Sequence, residues 1–337
     1  MNNRIHFAVK AVAFAKDGST TYTAAKGVQS VGITTNFDLE QVFQLGQIEI
    51  YENIENIPNV EVTLEKVLDG YPLLYHLATR GPTDVTLVGR SSTKCGVALS
   101  LFNDTQSSAS GTPIAEVNMS GLLWSNLSYT FPTDGNCTES ITLIGNHKVW
   151  KSSNFTFTGG FLNNDVPLAV TSGLGGVQRR ENIVFDAVTK TLLPTDIPGI
   201  ASDGSNTKTN NVYGAHVRQI TVSTDANRTD LNELGRKAPY FRYINFPVEV
   251  RCDIEIIAIS GDGISATEEG VYAGGTNLQD RTIKIVTQDG TVLDLGTKNK
   301  LSSVSSTGGD TGGGEQIDTF SYLGFNLLSV THPQMPT

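Results

Sequence analysis

Two distant stretches of this chain follow the same pattern, and this repeat limits the possible folds more than any other feature. YENIENIPNVEVTLEKV (51–67) and YFRYINFPVEVRCDIEI (240–256) both run from a tyrosine through a proline to Val-Glu-Val. The offset that places Val28 on Val217 aligns the preceding residues too. Its further matches are Val31 with Ile220, Ile33 with Val222, Thr35 with Thr224, Leu45 with Leu234, Gly46 with Gly235, Tyr51 with Tyr240 and Pro58 with Pro247. The second copy then lacks one residue relative to the first, so that 60–62 aligns with 248–250.

A third pair of segments extends the repeat. SGLLWSNLSYTFP (120–132) aligns with SYLGFNLLSVTHP (321–333). Three blocks in the same order predict two copies of a domain-sized unit of roughly 120–150 residues, and so long a period argues against a solenoid. In this alignment the second copy ends shortly after Pro333 and lacks the Asp-Gly hairpin and returning strand that follow Pro132.

The repeat divides the chain into two domains and a connector. The predicted ranges are 1–145 for the first domain, 146–179 for the connector and 180–337 for the second domain. A strand-like piece over 180–188 opens the second domain.

Alternation of apolar and polar residues predicts strands with one face on a core and one in water. In 60–67 and in 248–256 the valines and the other apolar residues at alternate positions share one face. The polar face then carries Glu61, Glu65, Glu249, Arg251, Asp253 and Glu255. Each copy is therefore predicted to be a mainly antiparallel β unit.

Turns and one helix complete the prediction for each unit. Asp-Gly steps at 134–135 and 289–290 lie between strand-like runs and predict hairpin turns. The segment 68–81 favours a short helix, because Pro72 suits a first helical turn and Gly81 can end it.

The connection between the first two strands of each copy is unusually apolar in the first copy. That loop, 36–47, holds Phe37, Leu39, Val42, Phe43 and Leu45, and so much apolar surface on a loop indicates a partner contact. The alternative is a short amphipathic helix packed on its own domain. The second loop, 225–239, keeps Leu231 and Leu234 but is more polar, so we expect the two loops to contact partners unequally.

No catalytic or metal-binding pattern emerges, and we expect neither an enzyme nor a cofactor. The five histidines are dispersed, and the Gly-rich segment 306–316 lacks the Lys and Ser/Thr ending of a phosphate loop. Cys95, Cys137 and Cys252 are predicted to be small buried residues. The formal net charge of −10 works against adhesion to nucleic acid or anionic membrane, and no apolar window reaches the ~18 residues of a membrane span.

The duplicated strand blocks resemble the tail tube proteins of tailed bacteriophages. The segments that carry the resemblance are VQSVGITTNFDLEQVFQLGQIEIYENI, AEVNMSGLLWSNLSYTFPTDG, RRENIVFDAVTKTLLPTDIPG and FNLLSVTHP. The resemblance implies β-sandwich or split-barrel domains, each with a flanking helix, and six such domains in a ring around a channel. A chain with two copies would form that ring as a homotrimer, and the long loops would reach the adjacent ring.

In such a tube the polar strand faces would line the channel, and their acids would repel duplex phosphate. Arg251 is the exception, and a neighbouring acid could pair with it. The other interpretation makes these faces ordinary outer surface. The resemblance further implies tape-measure, tail-tip and tail-terminator partners, passage of DNA without specific binding, no membrane insertion, and a place in the virion after assembly in the host cytoplasm.

Two other function classes stay open. One is a carbohydrate-binding module of a tail fibre or adhesin, although Trp124 and Trp150 both lie in apolar strand contexts that favour structural roles. The other is a polysaccharide hydrolase that uses paired acids.

Overall fold

The computed structural model describes residues 10–102, 112–156, 176–258, 278–308 and 314–335 and is mainly β, with antiparallel sheets. This confirms the predicted fold class. In chain order the first half contains β1 (Lys10–Lys16), β2 (Tyr22–Ala24), β3 (Val28–Asn36), β4 (Leu39–Phe43), β5 (Ile50–Glu55), β6 (Asn59–Val67), helix α1 (Leu74–Ala78), β7 (Cys95–Leu101), β8 (Ala115–Pro132), β9 (Thr138–Gly145) and β10 (His147–Lys151).

The second half follows a short 3-10 turn at Arg180–Asn182. Its strands are β11 (Lys208–Thr209), β12 (Val212–Tyr213), β13 (Val217–Asp225), β14 (Arg228–Leu231), β15 (Phe241–Ile244), β16 (Glu249–Ile257), β17 (Lys284–Val286), β18 (Val292–Asp294), β19 (Lys300–Thr307), β20 (Ile317–Phe325) and β21 (Ser329–Thr331).

One antiparallel sheet runs through both halves of the chain. Its strand order is β3-β6-β9-β8-β13-β16-β20-β19, so that the pair β8–β13 joins the halves. Because every neighbouring pair is antiparallel, β3 and β13 run in the same direction. Among the described strands, β3 and β19 are the two ends of this sheet.

The four strands from each half correspond one to one. Strand β3 corresponds to β13, β6 to β16, β9 to β20 and β8 to β19, in the same order and with the same directions. The register shifts also coincide. They lie between Val28 and Ser30 in β3, Val217 and Gln219 in β13, Trp124 and Asn126 in β8, and Leu301 and Ser303 in β19.

This correspondence corrects two parts of the predicted alignment. Because Ile33 pairs with Val62 and Val222 pairs with Cys252, residues 60–62 correspond to 250–252 rather than to the second Val-Glu-Val. The predicted alignment of 120–132 with 321–333 was also wrong. Residues 138–145 (TESITLIG) correspond to 317–324 (IDTFSYLG), and the second half therefore does contain a returning strand, β20, which pairs with β19.

A second sheet packs on the first half. Its strand order is β10-β8-β7-β1-β2, and the long strand β8 belongs to both sheets. The change of sheet falls near Gly121, whose φ of +66° is one that favours glycine. Apolar side chains of both sheets belong to one buried cluster, in which the Tyr75 and Trp124 rings meet edge to face at 5.9 Å between centroids.

Helix α1 forms inside the predicted segment 68–81, although it is only one turn long. Leu74, Tyr75 and Leu77 are buried in the core. The buried carboxylate of Glu139 on β9 accepts hydrogen bonds from the backbone N–H groups of Leu74 (2.6 Å) and Tyr75 (3.0 Å). It therefore supplies the cap that the segment itself does not provide, since no side chain at the N-cap position does so.

Both predicted Asp-Gly turns are confirmed as hairpins. Gly135 lies between β8 and β9 with φ +104°, and Gly290 lies between β17 and β18 with φ +87°. The predicted strand-like piece 180–188 is wrong, because it holds the 3-10 turn and a single bridge from Ile183 to Thr287.

The two halves interlock through their chain segments. Strand β10 lies in the predicted connector yet pairs with β8 of the first half. At the other end of the chain, Leu87 donates its backbone N–H to the Leu328 carbonyl (2.9 Å), and Thr86 bridges to Ser329 on β21. The domain boundaries stay a prediction, but the halves share one sheet and one core.

Candidate functional site

The polar face of the eight-stranded sheet carries all six side chains that the sequence analysis singled out on strands. They project from β6 and β16, whose opposite faces place residues such as Val62, Leu64, Val250 and Ile254 in the core. Those six residues are Glu61, Glu65, Glu249, Arg251, Asp253 and Glu255. The structure thus brings both strand segments onto one continuous surface, and their place in a channel stays a prediction.

Small hydroxyl side chains surround these acids. Glu65 lies opposite Ser30 and Ser140, and Asp253 lies opposite Thr221 and Ser321. The sheet surface around these acids is therefore mainly hydrophilic, although Ile144, Leu323 and Phe325 also lie on it.

Two basic residues on this surface have carboxylate partners: Lys300, opposite Leu323 on β20, forms an ion pair with Asp280 at 3.8 Å, and Arg251 is paired with Asp253. Arg251 Nε donates to Asp253 Oδ1 at 2.9 Å, and Ser321 Oγ donates to the same oxygen at 2.6 Å. Since Arg251 is paired with Asp253, its charge is offset locally, while Glu61, Glu65, Glu249 and Glu255 leave the face acidic.

The sheet ends in two edge strands whose core-facing side chains are only partly covered. Val31 and Ile33 on β3 and Val304 on β19 are partly buried and pack against the core. The corresponding positions at the internal junction are fully covered, since Ile220, Val222 and Leu127 are at most 2% exposed. The sequence analysis missed these edges, because periodicity alone does not show which strand lacks a neighbour.

Each long connection between the first two strands of a copy is a β-hairpin, which we call an arm. The first arm, residues 37–58, contains β4 and β5, and the second arm, residues 226–247, contains β14 and β15. The alternative of a short amphipathic helix for 36–47 is wrong, because β4 and β5 pair with each other. Since β3 and β13 are parallel, both arms leave the sheet at the same end.

The tips of the two arms match closely. Gly46 and Gly235 have φ values of +87° and +85°, and the preceding Leu45 and Leu234 are fully exposed. In both tips a backbone hydrogen bond closes the turn, from Gln47 N–H to Gln44 O (3.2 Å) and from Arg236 N–H to Glu233 O (3.4 Å). A positive φ at the third turn position requires glycine, which explains the shared Leu-Gly.

The arms expose most of their apolar side chains. Of the seven residues singled out, Phe37, Leu39, Phe43, Leu45, Leu231 and Leu234 are exposed, and Val42 is half-buried. The sequence analysis overlooked the returning strands, whose exposed apolar residues are Ile48, Ile50, Tyr51, Ile54, Tyr240, Phe241, Tyr243 and Phe246. The alternation in IEIYENI (48–54) was the available signal.

A polar cleft of about 500 Å³ lies between the second arm and the place where the first arm joins the sheet, which we call its root. The root lines the cleft with Asp38, Asn56, Ile57, Asn59 and Asn146. Arg242 is buried there, forms an ion pair with Asp230 at 2.6 Å and donates from Nη2 to Asn59 Oδ1 at 3.2 Å. The remaining charged residues in the lining are Asp38, Arg236 and Lys237. The cleft is thus a contact between the two halves that runs through charged and amide groups.

The other chemistry-bearing residues have structural surroundings. Cys95, Cys137 and Cys252 are buried free thiols, as predicted, and burial raises the pKa of Cys137 to about 12. Within the described ranges, no group of three or more His, Cys, Asp or Glu side chains could hold a metal ion, and no helix is long and apolar enough to cross a membrane.

The two tryptophans differ from each other. Trp124 is buried, as predicted, and donates from Nε1 to the Arg90 carbonyl at 3.3 Å. The structural interpretation of Trp150 is wrong, because this residue lies on strand β10 with 60% of its surface exposed.

Comparison with known proteins gives remote structural neighbours. No family model and no curated protein matches the chain. Among solved structures it is similar to a chain of the anti-feeding prophage baseplate (13% identity, TM-score 0.34, 46% of this chain and 100% of that one). It is also similar to a chain of the anti-feeding prophage tube-terminating cap (14%, 0.33, 45% and 94%).

A third neighbour is a chain of the sheath-tube complex of PVC, an extracellular contractile injection system in its extended state (17%, 0.33, 45% and 95%). The structural neighbours of this chain are therefore components of phage tails and contractile injection systems, at low sequence identity.

Proposed function

We propose that this chain is a structural tail protein, three copies of which close into a ring that stacks into a tail tube. The polar sheet face lines the channel of that tube. The observation that carries the proposal is the pair β8–β13, which already joins two equivalent four-strand units edge to edge inside one chain.

The free edges are suited to repeat this junction between chains. Strand β19 corresponds to β8, and β3 corresponds to β13, so β19 of one copy has the right direction to pair with β3 of the next. An exposed edge with unpaired backbone groups is an aggregation risk, and ring closure removes it. Three chains place six units around the axis, which is the number that the resemblance to tail tube proteins implies.

The internal junction also predicts the register between chains. Inside the chain, Ser223 pairs with Ser128 on the polar face and Thr224 pairs with Leu127 on the core face. The equivalent pairs between chains are Thr34 with Ser305 and Thr35 with Val304. This register leaves hydroxyl groups on the polar face and covers Val304.

The channel wall would then be acidic and rich in hydroxyl groups. Each Lys or Arg that contacts a phosphate adds affinity, and such contacts would retard a passing duplex. Glu61, Glu65 and Glu255 repel phosphate instead, and Arg251 is paired with Asp253. A wall of this composition suits the passage of DNA without binding.

The arms supply contacts beyond the ring. Both leave the sheet at one end with exposed leucine tips, which is the arrangement needed to reach an adjacent ring. Contacts to tape-measure, tail-tip and tail-terminator proteins would complete the tube at its ends and interior.

The register can be tested by disulfide trapping in the full chain. In the variant Thr34→Cys/Ser305→Cys, facing residues of an antiparallel pair lie close enough for a disulfide bond. We expect covalent trimers under oxidising conditions on denaturing gels, and three-subunit rings or tubes by electron microscopy. The native cysteines are buried and should not compete.

The matched control is Thr34→Cys/Ser303→Cys, which shifts one partner by two positions. Diagonal neighbours lie about 7–8 Å apart, at the limit of disulfide geometry, so this variant should remain uncrosslinked. Persistent monomers at high protein concentration, or equal crosslinking of both variants, would contradict the ring and its register.

A further inference from the structure

The cleft between the two arms has a counterpart at the boundary between chains, if the ring proposed above is correct. Inside one chain the cleft separates the root of the first arm from the second arm. The strand correspondence predicts that the root of the second arm faces the first arm of the next chain in the same way. The residues that line this second cleft follow from the alignment of the halves.

The second cleft is less charged and more apolar than the first. Among the eleven lining positions, charged residues fall from five to one, which is Glu249 at the position of Asn59, and apolar residues rise from two to five. On the arm, Asn232 and Lys237 correspond to Phe43 and Ile48, and Pro239 corresponds to Ile50. On the root, Ile57 corresponds to Phe246 and Asn146 corresponds to Phe325.

These apolar side chains are exposed in the single chain. Ile48 is 100% exposed and Phe43 is 61% exposed on the first arm. Phe246 and Phe325, at the root of the second arm, are 49% and 50% exposed. Two separate apolar groups thus lie at the positions that a neighbouring copy would bring together.

We propose that Phe43, Ile48 and Ile50 of one copy dock on Phe246 and Phe325 of a second copy, next to the paired β19 and β3 edges. The two kinds of arm junction in a ring are then chemically different. The junction within a chain is lined mainly by charged and amide groups, whereas the junction between chains is lined by apolar and amide groups, with Glu249 as the charged residue of its lining.

This difference gives the ring its specificity. An apolar arm placed on the charged root would leave Asp38 without water or a partner, and burial of an unpaired charge is costly. Burial of exposed apolar side chains, by contrast, favours association and depends little on ionic strength. Each arm is therefore matched to its own neighbour.

The test replaces two apolar residues of the first arm by the polar residues that the second arm carries. The variant Phe43→Asn/Ile48→Lys introduces the residues that the second arm carries at the equivalent positions. We expect the full chain to fold with unchanged thermal unfolding, and half-assembly of rings to require at least about tenfold more protein, measured by sedimentation velocity and native mass spectrometry.

A control and a partner-side variant define the contact. Val188→Asn removes an equally exposed apolar side chain outside both arms and should leave ring assembly unchanged. Phe325→Asn, which introduces the residue of the equivalent first-half position, should weaken assembly like the arm variant. Combining it with the arm variant should add less than the sum of the two effects, because both remove one contact.

The outcomes separate this inference from the ring itself. If wild-type rings form and the arm variant assembles at the wild-type concentration, or if the effects of the two sides add fully, the apolar junction is wrong and the ring stands. If the wild type forms no rings at all, the proposed function fails, and the junction fails with it.

Discussion

At the scale of single residues, the structure assigns ionisable side chains to places that the sequence pattern does not reveal. Glu139 is the clearest case. It lies among alternating residues of β9 on the core side, where burial raises its pKa, and it caps α1 and accepts a hydrogen bond from the Tyr129 hydroxyl at 3.0 Å. From the sequence alone such a carboxylate is expected to lie in water, because buried acids are rare without partners.

His76 gives a prediction at this scale. Its Nε2 lies 3.0 Å from the Val330 carbonyl of β21, and burial lowers its pKa from 6.5 to about 3. Between these two values the unfolded chain binds a proton that the folded chain does not. The free energy of unfolding should therefore fall as the pH decreases below 6.5, by up to about 1.4 kcal/mol per pH unit.

The measurement is chemical denaturation from pH 7.5 to pH 5 for the wild type and two variants. His76→Gln should reduce the pH dependence, whereas His216→Gln, at an exposed histidine, should leave it unchanged. Burial also lowers the pKa of His332, so some pH dependence of the same sign should persist. An identical slope in wild type and His76→Gln would rule out this role.

At the scale of elements, the sequence identified the arms by their apolar content but assigned them no strands. Within the described residues the strands of each arm pair with each other, and β4 and β5 of the first arm have no buried face like those that identified β6 and β16. The helix was located correctly, although its cap comes from β9. The third repeat block was misaligned because neighbouring strands share the same alternation of apolar and polar residues. The sequence therefore fits more than one strand equally well, and only the hydrogen-bonded pairing fixes the register.

Truncation of the first arm tests its independence from the core. Replacement of residues 40–53 by a short Gly-containing turn should leave the thermal unfolding temperature within a few degrees of wild type, because few of these side chains are buried. Ring assembly should weaken, because the deletion removes Phe43, Ile48 and Ile50, and any rings that form should not elongate into a tube. Circular dichroism and electron microscopy provide the two measurements.

The comparison variant is Leu74→Ala, which removes a fully buried side chain from α1. It should destabilise the chain by about 2–5 kcal/mol, the usual cost of such a cavity. An arm truncation that unfolds the chain to the same extent would show that the arm belongs to the folding unit.

At the scale of the whole molecule, the β8–β13 pair decides the architecture. Two similar units could have been joined by a flexible tether, with each polar face turned in its own direction. Instead they form one sheet, with the exposed acids of β6 and β16 on one side and the free edges β3 and β19 at its ends. Strand β21, which pairs with β18 and bridges to Thr86, contacts both halves and helps to fix this arrangement. The segment after 176 does so too, because Gln178 N–H donates to the Leu68 carbonyl and Asn182 Nδ2 donates to Gln288 Oε1.

Charge reversal on the polar face tests the channel. Glu61→Lys/Glu65→Lys should still form rings, since both residues point away from the core, but these rings should bind duplex DNA in a salt-sensitive manner. Glu181→Lys/Asp186→Lys changes the net charge equally at exposed positions outside the sheet. Fluorescence anisotropy with a short duplex should detect binding only for the first variant, and equal binding by both would place Glu61 and Glu65 outside the channel.

The sequence by itself determined the mainly β character, the polar and apolar faces of β6 and β16, and the hairpin turns, and it predicted two related halves. These features depend on local periodicity and on turn residues, which act over a few neighbours. The tertiary structure alone decided which strands pair, that the halves share one sheet, and which edges lack a neighbour. Strand pairing joins residues that are remote in the chain. The same apolar pattern fits several registers, and the backbone hydrogen bonds of the folded chain select one of them.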